Sequence, residues 1–346
     1  ILKYICLPGL LASGDIQTVS AVESKTDKNP NILVILIDDA GYNDFGFMGS
    51  KEMQTPNIDA LTSEGVVFTD AHVAATVSSP SRACLITGRY GHRFGYECNL
   101  SDRTNGLPLE EETIAEVFKT NGYRTAAIGK WHLGSRDEQH PNNRGFDLFY
   151  GMKAGGRDYF YNEKKSDRPG DERNLLLNDR QVKFEKYLTD AFSEKAVEFI
   201  NESSQPFMMY LAYNAVHTPM QATDEDMAKF EGHPRQKLAA MTYALDRGVG
   251  TVIRGLKDSG KFDNTLIFFL SDNGGATTNQ SSNYPLKGFK GNKFEGGHRV
   301  PYFVVWKNGI PAGKPYDGLV SSLDIFATAI DAASISKTRN RLDGVS

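Results

Sequence analysis

Apolar and polar positions fall into two alternating kinds of block along this chain. Residues 31–37, NILVILI, form a short unbroken apolar run of the kind expected for a strand covered on both faces, and the run stops at Asp38-Asp39. Similar runs recur. Residues 124–129 lead into Lys130-Trp131-His132, residues 207–213 run towards His217-Thr218-Pro219, and residues 265–270 deliver Ser271-Asp272-Asn273-Gly274. Residues 300–306 make a further strand. Between them lie blocks with helical period: 56–68 behind a Thr-Pro start, 110–121 closed by Gly122, then 189–203, 234–258 and 322–333.

Strands alternating with helices at this spacing predict an α/β fold, a doubly wound, mostly parallel sheet flanked by helices. In such sheets ligands bind beyond the carboxyl ends of the strands. Each polar cluster named above sits at such an end, which is the reason to gather residues far apart in sequence into one site. Residues 1–12 are apolar with Lys3 near the start and read as the remnant of a secretory signal, the alternative being a buried terminal strand; residues 13–30 read as a polar linker. This predicts a periplasmic or secreted protein whose α/β domain spans 31–346. No other run is long and apolar enough to cross a bilayer.

A length of 346 residues suits one large α/β core. The net charge of -4 offers no broad basic surface, which argues against nucleic acid as a partner. A mildly acidic protein that takes an anionic ligand has to concentrate positive charge locally, with a cation or converging basic side chains. The three cysteines, Cys6, Cys84 and Cys98, show neither zinc-site spacing nor a disulfide framework.

Asp38, Asp39, Asp272 and Asn273 offer three carboxylates and an amide oxygen, a donor set for a hard cation such as calcium or magnesium. One such pair is usually a turn or a helix cap; two at equivalent strand ends point to a metal. In AATVSSPSRACLITGR, Pro80 after Ser79 reads as the first helical residue after an N-cap, with Gly88 ending the helix. Ser78 is then placed just before a helix N-terminus, where backbone N–H groups and the dipole favour an anion, and Arg82 lies one turn in. By itself the segment reads better as a plain helix cap.

The run Ser78-Ser79-Pro80-Ser81-Arg82, followed by Thr87-Gly88-Arg89, resembles the signature of the type I sulfatases of the alkaline phosphatase superfamily. Other positions resemble the family in order: Asp38 and Asp39 in DDAGYND, Lys130 and His132 in GKWHLG, His217 in VHTP, Asp272 and Asn273 in SDNGG, and Lys290 in KGNKFEGG. The resemblance implies that Ser78 is oxidised to formylglycine, whose hydrate is the nucleophile. Serine in place of the commoner cysteine is similar to the bacterial branch matured by a radical enzyme. It also implies a single divalent metal, Ca2+ rather than Mg2+, held by Asp38, Asp39, Ser78, Asp272 and Asn273. Arg82, Lys130 and Lys290 would neutralise the sulfate, His217 would be the general acid and His132 would help the second hydroxyl lose its proton. The family normally continues past LDGVS into a smaller C-terminal subdomain, so the resemblance implies that this part is missing.

The implied activity is hydrolysis of sulfate monoesters, with a sulfated carbohydrate as the expected substrate. Residues 153–174 have the Gly, aromatic and charged mix of a loop rimming a polar pocket, and Arg157, Asp158 and Tyr159 are candidates for sugar contacts, a solvated loop being the alternative. Trp131 and Phe289 read as packing, His72, His92, His298 and Arg299 as structural. Two rivals stand: a phosphonate or phosphodiester hydrolase of the same superfamily, and a non-catalytic binder of sulfated glycans with unmodified Ser78. Two-metal phosphatases want additional Asp and His ligands, and Asp272-Asn273 favours one metal.

Overall fold

The computed structural model describes residues 29–99 and 106–346. The signal and linker expected over 1–30 therefore lie almost wholly outside the described residues. In chain order the strands are β1 (Asn31–Ile37), β2 (Val66–Phe68), β3 (Ala71–His72), β4 (Arg124–Lys130), β5 (Leu148–Met152), β6 (Leu176–Leu177), β7 (Arg180–Gln181), β8 (Phe207–Ala212), β9 (Thr265–Ser271), β10 (Tyr302–Val305) and β11 (Val320–Ser321). The helices are α1 (Pro56–Thr62), α2 (Ser78–Thr87), α3 (Ile114–Thr120), α4 (Leu188–Glu202), α5 (Asp224–Ala228), α6 (Gln236–Asp258), α7 (Glu295–His298) and α8 (Asp324–Ala332).

Nine strands form one sheet in the order β2-β10-β9-β1-β8-β4-β5-β6-β7, and β11 pairs with β3 apart from it. The central strands β9, β1, β8, β4 and β5 are all parallel. β10 closes one side antiparallel to β9, and β6 the other antiparallel to β5. Every residue of β1 is buried. Its odd positions Leu33, Ile35 and Ile37 enter the layer packed with α1, α4 and α6, while Ile32, Val34 and Leu36 enter the layer packed with α2, α3 and α8. The uninterrupted apolar run therefore reflects a strand with two dry faces, as its pattern predicts.

Two elements differ from the sequence expectation. The block 56–68 is not one helix: α1 ends at Thr62, and Val66–Phe68 pairs with β10 as an edge strand. The apolar residues beyond Gly65 stay in helical phase, so periodicity alone does not show the break. Ser78 is the first residue of α2, after Val77 as N-cap, which puts Ser79 and Pro80 each two positions deeper than expected. Other boundaries move by a few residues; α3, for instance, starts behind a capping box of Thr113 and Glu116. Among the described residues no helix is long and apolar enough to cross a membrane.

Candidate active site

Parallel strands deliver their following residues to one edge of the sheet, and the polar clusters meet there. Asp38 follows β1, Lys130 ends β4, His217 lies beyond β8, and Asp272 and Asn273 follow β9. The backbone keeps these ends together: Asp38 N donates to Ala215 O and Asp272 N to Ile37 O. Asp39 and His132 both adopt positive φ, 62° and 58°, which turns each side chain sharply out of its strand direction. Gly129 is needed for a related reason. At φ 105° its missing Cβ would lie 1.9 Å from Ala212 O on the neighbouring strand.

Ser78 Oγ sits 3.3 Å from Asp38 Oδ1 and 3.2 Å from Asn273 Oδ1. Each carboxylate has its own cation. Lys130 Nζ donates to Asp38 Oδ2 at 2.6 Å, Lys290 Nζ lies 2.6 and 2.9 Å from the two oxygens of Asp39, and Arg82 donates through Nε to Asp272 Oδ2 at 2.9 Å, with NH2 2.8 Å from the same oxygen as an ion pair. Asn273 Nδ2 donates to Asp39 Oδ1 at 2.8 Å, which aims its amide oxygen at Ser78. His217 Nδ1 is 2.6 Å from Thr218 O and its Nε2 is 3.7 Å from Asp39 Oδ2. All the catalytic and metal residues expected from the motifs thus meet in one cluster.

Electrostatics sort these groups. Burial works to raise the Asp38 pKa, but the charges of Lys130, His217, Arg82 and Lys290 override it and hold the carboxyl well below its usual range. Asp272 goes the other way, raised by burial and by the adjacent charge of Asp38. Burial lowers the Lys130 ammonium, with the Asp38 carboxylate opposing. For Lys290 burial works downwards, yet Asp39, Asp38 and Asp272 prevail and raise it. His132 is pushed well below the ordinary imidazole value by burial and then by the charges of Lys130 and Arg82, so it is neutral at pH 7.

The residues present suit a hard divalent cation. Carboxylate oxygens of Asp38 and Asp39 and a ring nitrogen of His217 lie within 4.8 Å of one another, with Asp272, the Asn273 amide oxygen and Ser78 Oγ adjoining. Three carboxylates face three permanent cations there. A bound divalent ion would leave a local excess of positive charge, as an anionic ligand requires.

The candidate sugar contacts have internal partners. Arg157 spends its guanidinium on both oxygens of Asp167, Asp158 accepts from Ser166 and Gln221, and the fully buried Tyr159 hydroxyl is 2.6 Å from Asn214 O and 2.8 Å from His217 O. These side chains are the internal frame of their loop, with their polar atoms taken up by the protein. The part of the loop that reaches the site is Gly155-Gly156. A Cβ on Gly155 would come 2.7 Å from the His132 ring, and one on Gly156 3.2 Å from His217 Cε1. The adjacent glycines in KAGG were the available signal. Asn279 was also missed; its Nδ2 donates to Asp39 O and Val216 O and ties two strand-end loops together. Nothing distinguishes it within ATTNQSSN. Phe289, read as packing, is 45% exposed, whereas Trp131 is buried.

The chain resembles known proteins over most of its length. The chain is 35% identical to an uncharacterized sulfatase, YdeN, of Escherichia coli K12, a match covering 94% of this chain and 66% of that protein. It is 33% identical to human arylsulfatase G, over 99% of this chain and 73% of the relative. The crystal structure of Ps i-CgsB in complex with k-i-k-neocarrahexaose superposes with a TM-score of 0.85 at 43% identity, covering 92% of this chain and 75% of that one. The chain thus spans about two thirds to three quarters of the length of these relatives. The family model described as Sulfatase matches residues 30–335. Since that match runs from the first strand of the sheet through its last packed helix, the chain belongs to the sulfatase family, the type I group of the alkaline phosphatase superfamily.

Proposed function

We propose that this protein is a carbohydrate sulfatase that hydrolyses a sulfate monoester at Ser78 after a radical-type maturating enzyme has oxidised that residue to formylglycine. The observation that carries the reading is the setting of Ser78 Oγ, between Asp38 Oδ1 and Asn273 Oδ1 and inside a ring of Lys130, Lys290, Arg82, His132 and His217. Hydration of the aldehyde supplies two hydroxyls on one carbon, one to attack sulfur and one through which sulfate is later expelled. A plain serine sulfate ester has no such exit.

Asp38, Asp39, Asp272 and Asn273 would hold the metal, Ca2+ by its preference for several oxygen ligands, and its charge would polarise the sulfate oxygens. Lys130 and Lys290 reach the same oxygens as positive charges, while Arg82, bound to Asp272, fixes that carboxylate and adds its own field. The hydrogen bond between His217 Nδ1 and Thr218 O leaves Nε2 to carry the proton for the leaving oxygen. His132, kept neutral by its surroundings, accepts the proton of the second hydroxyl.

Support for a carbohydrate comes from the oligosaccharide bound to the 43% identical Ps i-CgsB. The exposed rings of Tyr284, Phe289 and Phe294, on the loop that carries Lys290, offer faces on which sugar rings stack. The test is peptide mass spectrometry on protein produced with the maturase, joined to a screen of defined sulfated oligosaccharides. The reading expects loss of two hydrogens at Ser78 together with sulfate release. Unmodified Ser78 with binding but no turnover would favour a glycan-binding protein, and faster cleavage of phosphonate or phosphodiester substrates would favour the phosphoester reading.

A further inference from the structure

A second group of side chains, outside the catalytic cluster, has the composition of a transition-metal site. His72 ends β3 and His298 ends α7, and their Nδ1 atoms face each other at 2.9 Å. His72 Nε2 lies 3.0 Å from Asp70 Oδ1. A carboxylate on Nε2 holds the ring proton there, so Nδ1 of the neutral ring is a lone pair aimed at His298. One ligand atom from each of His72, Glu295 and His298 lies within 4.8 Å of the other two.

Two imidazoles and a carboxylate make a donor set for zinc-type ions, in contrast to the all-oxygen preference of calcium. Zinc–nitrogen bonds of about 2.0–2.1 Å place two ligand nitrogens roughly 2.9–3.4 Å apart, from square to tetrahedral angles. The observed 2.9 Å falls at the short end of that range, so the rings need to part by only a few tenths of an ångström. Glu295 is 47% exposed on its side chain and turns without disturbing the backbone. Arg299 lies 3.4 Å from Asp70 and 3.3 Å from Glu295, and offsets one of these two negative charges.

The position of the cluster gives it a purpose. Glu295 and His298 follow Lys290 on the same loop, and His72 precedes the segment leading into Ser78. The two segments already touch through Val73 N to His298 O at 2.8 Å and Gly291 N to Thr76 O at 2.7 Å. We propose that His72, Glu295 and His298, with Asp70 behind His72, form a second metal site for a zinc-type divalent ion that fastens the Lys290 loop to the entry of the nucleophile helix.

The test is equilibrium dialysis of the chelator-stripped full chain against low-micromolar zinc in millimolar calcium, with metal counted by mass spectrometry. The proposal expects about one zinc per chain. It expects that zinc to be lost in the His72→Gln/His298→Gln variant while calcium stays, and cobalt in its place to give a visible d–d band in the parent only. Should the double variant fail to fold, Glu295→Gln, on the half-exposed side chain, serves instead and should weaken zinc binding roughly tenfold or more. No zinc on the parent chain, or zinc retained unchanged by the variants, overturns the proposal; the second result would put the ion at the catalytic carboxylates.

Discussion

Arg82→Met separates the electrostatic role of Arg82 from its volume. The guanidinium is fully buried and gives Asp272 one charged hydrogen bond from Nε at 2.9 Å and an ion-pair contact from NH2 at 2.8 Å, with a further hydrogen bond from NH1 to Lys130 O at 3.1 Å. Methionine fills much of the space and leaves Asp272 beside Asp38 and Asp39 with one cation fewer. Two charges about 4 Å apart at an effective dielectric of about 20 attract by about 4 kcal/mol, in line with the roughly 3–5 kcal/mol typical of a broken buried pair. For a domain of this size that is a fall of roughly 4–8 °C in melting temperature. The assay is thermal unfolding in chelator, followed by the fluorescence of buried Trp131. The pH dependence carries the sign. A carboxyl whose folded pKa is raised, as burial and Asp38 already raise that of Asp272, favours the fold below its unfolded value of about 4 and loses that contribution as pH rises through the folded value. Removing Arg82 raises it further, so the deficit should be smallest near pH 4 and largest at pH 8. A deficit below about 1 kcal/mol at pH 8, or one that does not change with pH, would refute the reasoning.

Gly129→Ala should destabilise the chain by more than about 2 kcal/mol, from positive φ and the clash with Ala212 O, and should cost activity by displacing Lys130; denaturant unfolding and turnover check both. Tyr159→Phe removes the hydroxyl that holds Asn214 O and His217 O, with an expected loss of about 1–3 kcal/mol and a fall in kcat larger than any change in KM. His132→Gln should slow turnover by roughly 10²–10⁴-fold while sparing the first-turnover burst of leaving group, read by rapid quench. In the parent enzyme His132 should remain a base well below about pH 6.5, since its pKa is depressed, and an acidic limb at or above that value that vanishes in the variant would contradict its assignment.

The fold was most legible where burial is two-sided. After their first residues, Asn31 and Thr265, NILVILI and TLIFFL have no polar position because both faces of β1 and β9 are dry, and their ends are marked by the next charged or polar residues. β5, LFYGM, went unread because it is short and joins the sheet beside β4 only through long-range pairing. The split of 56–68 was hidden because Val66–Phe68 continues the apolar phase of α1. At the site, Asp38, Lys130 and Asp272 were recoverable because a parallel sheet brings strand ends together. For Arg157, Asp158 and Tyr159 residue type does not show where a loop side chain points, and Arg157 finds its partner in Asp167 inside the same loop. Gly155 and Gly156, with no side chain to suggest chemistry, are the residues that lie against His132 and His217.

The most direct test of the central claim is ion chromatography of inorganic sulfate released from a defined sulfated carrageenan oligosaccharide by the matured chain, with Ser78→Ala as its pair. The account predicts stoichiometric sulfate from the matured protein and none above background from the variant, with both chains equally folded. Sulfate released equally by the two would contradict it, because the chemistry would then not pass through residue 78.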